Sequence, residues 1–145
     1  MSPEAFETAI LEKINLLGLI ALPYPENPKN YYPENDPGEV LVRYEGRKPK
    51  KRDVAGQTVE LRMFAEVVVC NRKLRGEDGA YSWLQQIFTA LEGFTLEGAA
   101  DPLNLQAEAL MDETDGIWQY GQKWSMGTNE FIEITDDYVS ELGDN

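Results

Sequence analysis

The stretch TVELRMFAEVVVC, residues 58–70, places Val59, Leu61, Met63, Ala65, Val67 and Val69 on one face of an extended strand. Glu60, Arg62, Phe64, Glu66, Val68 and Cys70 fall on the other face. The first set reads as a core face. The second begins charged and turns apolar towards Val68 and Cys70, so another element or subunit is expected to cover its far end. Upstream, Glu39 to Tyr44 reads as a second strand, and the polar stretch between the two, EGRKPKKRDVAGQ at residues 45–57, reads as a protruding basic hairpin loop.

Further out, Ser2-Pro3 is a helix opening, because serine caps orphan amides and proline at the first helical position gives up no needed donor. Phe6, Ile10, Ile14 and Leu17 then recur at helical spacing until Gly18, giving a helix from about Pro3 to Leu17. Residues 21–38 hold five of the eight prolines and read as an ordered but irregular arm, pinned through Tyr24, Tyr31 and Tyr32. On the downstream side, Tyr81, Leu84, Ile87, Phe88 and Leu91 form one helical stripe that Gly93 closes. Leu103, Leu105, Ala107, Ala109 and Met111 alternate with polar residues as a strand, and Asp115-Gly116 is a hairpin turn into Trp118, Tyr120, Gln122, Trp124 and Met126. Phe131, Ile132 and Ile134 suggest a further short piece. The order α-β-β-α-β-β predicts an α+β domain over residues 1–135, with a four-stranded, mostly antiparallel sheet under two helices. Residues 136–145 read as an acidic C-terminal tail.

Composition narrows the chemistry. The 145 residues include no histidine, which removes serine–histidine triads, cysteine–histidine dyads and histidine-bearing zinc sites. The one cysteine, Cys70, has no partner for an internal disulfide and fits a reducing compartment. The early glutamates argue against a signal peptide, and no stretch reaches the roughly 18 apolar residues of a membrane span. The net charge of -13 repels nucleic acid and anionic lipid when the chain is taken whole.

That charge is segregated. From Arg43 to Arg75 there are ten basic and four acidic side chains, a balance of +6, whereas the rest has three basic and twenty-two acidic, a balance of -19. The cluster Arg47, Lys48, Lys50, Lys51 and Arg52 reads first as a solvated loop tip, next as a docking loop for an acidic protein surface, and last as a nucleic-acid contact. In a closed ring of identical subunits, unlike patches would meet between neighbours. An acidic lumen would let DNA, with its one negative charge per about 1.7 Å, pass without sticking.

Other constellations have plainer readings. DETDG, with Asp112, Glu113, Asp115 and Gly116, lacks calcium-loop spacing and is explained as a turn. Glu60, Arg62 and Asp53 faintly suggest a metal-nuclease triad, but arginine stands where a lysine is needed and is a poor base. Cys70 closes an apolar strand with no histidine to activate it. No catalytic, cofactor-binding or metal residues are therefore assigned. Trp118, Tyr120 and Trp124 read as core, with a share in a subunit contact.

The layout as a whole resembles the small Mu-like phage and prophage tail proteins related to tail terminators. The likeness runs from about Pro3 to Ile134 and includes ALEGF at Ala90 to Phe94 and GIWQY at Gly116 to Tyr120. It implies a non-enzymatic subunit of a hexameric ring that caps the tail tube and docks the sheath or the head–tail connector, with DNA passing through its lumen. It also implies assembly in the bacterial host cytoplasm and residence in the tail of a virion or phage-like particle. Arg47, Lys48, Lys50, Lys51 and Arg52 are then the expected partner contacts. A second reading, resting on the acidic charge, is a DNA-mimicking inhibitor of a DNA-binding protein.

Overall fold

The computed structural model describes residues 1–50 and 58–133. Two helices, α1 (Pro3–Asn15) and α2 (Ala80–Leu91), cover one face of a sheet built from β1 (Ala21–Pro23), β2 (Gly38–Pro49), β3 (Thr58–Asn71), β4 (Asn104–Thr114) and β5 (Ile117–Glu133). Their order across the sheet is β1-β2-β3-β5-β4. The α+β class stands, but the sheet has five strands, not four, and is mixed, because β1 runs parallel to β2. A three-residue strand without alternation carries no periodic signal, and it formed the start of the stretch read as an irregular arm.

Local chemistry explains how the chain reaches that extra strand. Ser2 Oγ accepts the Ala5 amide at 3.1 Å and opens α1. Phe6, Ile10 and Ile14 bury their side chains against the sheet. Gly18, at φ +87°, reverses the chain in a conformation that costs glycine little. Asn15 Oδ1 then accepts the Ala21 amide at 2.9 Å, steering the next residues alongside β2. Because β1 and β2 are parallel, a crossover must join them. The proline arm is that crossover, and it passes over the sheet face opposite the helices.

The arm covers the apolar end that the alternation of β3 had left open. Tyr24 and Tyr31 pack on a cluster of Leu41, Val68, Cys70 and Ile117. Tyr31 donates to Glu39 at 2.8 Å, and the same carboxylate accepts the Asn35 side-chain amide at 2.9 Å. Arg72 donates to the carbonyls of Pro33 and Asn35 at 2.8 and 2.9 Å and lies over the Tyr32 ring. All three tyrosines thus fasten the arm within the subunit.

On the helix side, Met63, Ala65, Val67 and Val69 of β3 form the core floor as their spacing predicts. Trp124 is fully buried there, 6.3 Å from Phe88 of α2 between ring centroids. Removing a side chain of that size from a packed core costs about 3–5 kcal/mol. Asp115 and Gly116, at φ +56° and +78°, make the two-residue turn between β4 and β5. β5 continues through residues 131 and 132, which sequence alone set apart, because a bulge opposite Glu60 and Arg62 absorbs the break in alternation. Residues Glu45 to Pro49, expected in the basic loop, belong to β2. The rest of that loop at 51–57, Ile134 and the acidic tail lie outside the described residues.

Candidate functional site

Extending β2 to Pro49 changes what the basic cluster can do. Neighbouring residues of a strand point to opposite faces, so the side chains of Arg47 and Lys48 diverge. Arg47 lies on the helix side, where it donates to Tyr44 Oη at 3.1 Å and pairs with Glu130 at 3.2 Å. The Tyr44 hydrogen bond pushes its already high pKa further up against the opposing effect of burial, with the charges of Tyr44 and then Glu130 adding to the rise. Lys48 lies on the arm side, its ammonium 4.9 Å from the centre of the Phe64 ring. Lys50 is exposed, and its amide donates to the Glu60 carbonyl. Lys51 and Arg52 lie outside the described residues. The five are therefore not shown as one patch, and Arg47 is an internal tie.

Lys48 borders a cleft of about 390 Å³ on the arm-side face, lined also by Glu45, Gly46, Arg47, Phe64, Gln106 and Lys123. Lys123 pairs with Glu45 at 3.2 Å and stands 4.0 Å from Glu66, a carboxylate almost withdrawn from solvent that Arg43 also binds. An aromatic floor with ammonium groups at its rim suits an acidic or aromatic side chain from another protein.

The two sheet edges are the second feature. β4 is exposed along nearly its whole length, with Leu110 at 51% and Met111 at 42% of full exposure. Its alternation misleads because bulges between Leu105 and Ala107 and between Leu110 and Asp112 switch its faces. At the other edge, Leu16 is 81% exposed and Ile20 44%. These residues come from LLGLIALP, residues 16–23, an uncharged apolar run that continues past the helical stripe ending at Leu17 without the alternation of a strand. That run was the available signal for a surface, and the sequence reading passed over it.

Groups weighed for chemistry are held structurally. Arg62 pairs with Asp101 at 2.8 Å, stands 4.0 Å from Glu60 and donates to Ser125. Burial disfavours the charge on Asp101, but the Gly127 amide and Arg62 outweigh it and hold the carboxyl below its usual range. Asp53 lies outside the described residues. Glu113 accepts the Gly116 amide at 3.1 Å within the DETDG turn. Burial pushes the Cys70 thiol up to about 12, and burial likewise raises Tyr31 beside it. Among the described residues, no group of three or more His, Cys, Asp or Glu is placed to hold a metal ion, and no helix is long and apolar enough to cross a membrane.

The model of the family described as Gp37 protein matches residues 16–142, nearly the whole chain. The chain belongs to the Gp37 protein family. Gp37 is a phage-related family, and the resemblance drawn from the sequence is right at that level: this is a phage protein. No curated protein matches the chain. The Gp37 match begins at Leu16 and so takes in both sheet edges, the arm and the cleft around Phe64.

Proposed function

We propose that this Gp37 protein is a non-enzymatic, ring-forming tail terminator or connector of a phage or phage-derived tail. The observation that carries the reading is that one small subunit exposes two unlike sheet edges, an acidic β4 and an uncharged apolar β1. A subunit that meets its left and right neighbours through different surfaces makes heterologous contacts, which close into a ring when the rotation permits. Six copies around a lumen, as in related terminators, would cap the tail tube on one side and meet the sheath or the head–tail connector on the other. The cleft floored by Phe64, with Lys48 and Lys123 at its rim, is the surface offered to an acidic partner. Assembly would take place in the bacterial host cytoplasm, and the ring would remain in the finished tail.

Mass measurement of the purified protein, alone and with the tail-tube protein of the same phage, tests this. Ring-sized particles, visible also in electron micrographs, are the expected result. A chain that stays monomeric at every concentration with the tube protein present, or one that competes with DNA for a DNA-binding protein, would favour the inhibitor reading instead.

A further inference from the structure

The arm-side face of the sheet continues past the arm as a track of aromatic and cationic side chains. One end is Phe131, which is 57% exposed and registered with Glu60, and the other is the cleft floored by Phe64. Between them stands Lys48, registered with Arg62. The Lys50 amide keeps the ladder going by bonding to Glu60, so the Lys50 side chain returns to the same face two residues on. Lys123 closes the far end of the cleft. Neither Lys48 nor Lys50 forms an ion pair with a carboxylate among the described residues.

Chain of the opposite sign follows β5. Residues 134–145, ITDDYVSELGDN, hold the carboxylates of Asp136, Asp137, Glu141 and Asp144 and no basic side chain, with Tyr138 and Leu142 among them. The Gp37 match runs on to residue 142, so most of this segment belongs to the family's unit. We propose that residues 134–145 turn back over the arm-side face of their own subunit and occupy the Phe64 cleft until an acidic partner displaces them. Carboxylates then face Lys48, Lys50 and Lys123, while Tyr138 and Leu142 cover the rings of Phe131 and Phe64. The cover presupposes the reading of the cleft as a docking surface and adds its regulation: the free subunit masks its own dock.

Charge and reach select this occupant. Glu133 ends β5 level with Thr58, six strand positions from Phe64, or about 20 Å at about 3.3 Å per residue. Glu141 lies eight residues past Glu133, so an extended return carries it about 26 Å, beyond Phe64 with room for a reversing turn. Asp144, three residues further, reaches the level of Lys123, which is registered with Glu66. The subunit's own carboxylates are held near the track at an effective concentration in the millimolar range. A second copy, itself at net charge -13, must first be brought up against like charge.

Disulfide trapping in the full chain tests the cover, since the native Cys70 is buried. With Gln106→Cys in the cleft wall and Leu142→Cys in the segment, oxidation by copper phenanthroline should yield a closed monomer lighter by two hydrogens. Adding Lys48→Glu and Lys50→Glu should abolish most of that product while the thermal midpoint stays unchanged. Disulfide-linked dimers from dilute protein would mean that the segment crosses to another copy, and free thiols in a folded monomer would mean that it does not dock; either overturns the proposal. Neutralising the segment with Asp136→Asn, Asp137→Asn, Glu141→Gln and Asp144→Asn should tighten binding of the tail-tube protein by about tenfold. A closed monomer whose neutralised segment leaves that binding unchanged would overturn the masking role. A closed monomer from a chain that never forms rings would count against the ring while upholding the cover.

Discussion

Glu66 of β3 and Arg43 of β2 are registered partners, and their side chains join by a charged hydrogen bond on the arm-side face. Glu66 is buried, Arg43 stacks over Tyr24 at 4.7 Å, and Lys123 approaches the other oxygen of Glu66 to 4.0 Å. Three strands and the arm therefore converge on one carboxylate. Hydrogen bonds to charged groups contribute about 1.5–3 kcal/mol, so Glu66→Leu should lower stability by about 2 kcal/mol, read as a fall in the urea midpoint. The same substitution in an Arg43→Met background should cost markedly less, because no unpaired cation is left behind. Equal costs in the two backgrounds would show that the pair is not coupled.

The Arg62–Asp101 tie predicts acid sensitivity. The Asp101 carboxyl is held below its usual range in the folded chain, so its contribution is present above the unfolded value of about 3.9 and is lost as pH falls through the folded value. Asp101→Asn should therefore be less stable than wild type at neutral pH, and the gap should close in strong acid. Urea titrations at pH 7 and near pH 2 measure it; a gap that does not depend on pH would contradict the assignment.

Cys70 gives a prediction of opposite sign. Its thiol titrates at about 12 in the fold, against about 8.5 when free, so the folded state holds that proton more tightly. Its contribution to stability is complete below about 8.5 and is lost as pH rises towards 12. Iodoacetamide at pH 8 should leave native Cys70 unmodified and label it fully in urea. Fast labelling of the native chain would show that the arm does not seal this end of the sheet.

The split of the basic cluster can be checked by charge reversal. Arg47→Glu should destabilise the subunit by about 1 kcal/mol, since it loses a part-exposed ion pair and a hydrogen bond. Lys48→Glu with Lys50→Glu should leave the thermal midpoint nearly unchanged while weakening binding to the tail-tube protein. Normal assembly by that double variant would remove the cleft from the docking surface.

Much of this protein is legible along its chain. The strict alternation from Val59 to Val69, the helical stripes of Phe6–Ile10–Ile14 and Leu84–Ile87–Leu91, and the Asp115-Gly116 turn each fix a local conformation and the side that faces the core. The prolines and tyrosines of the arm announced a pinned segment, and the apolar end of β3 announced its need for a cover. These features are readable because burial and backbone preference act over a few residues, within the reach of a periodic pattern. The candidate surfaces are a different matter. That Arg47 and Lys48 point to opposite faces follows from how far β2 extends. That β4 is an outer strand, and that LLGLIALP supplies the opposite one, follows from which backbone pairs with which. Backbone hydrogen bonds are the same for every residue type, so lateral strand order leaves almost no trace in side-chain spacing. The chain by itself determined the helices, the central strands and their core faces, while only the tertiary structure decided which strands end the sheet and what they leave exposed.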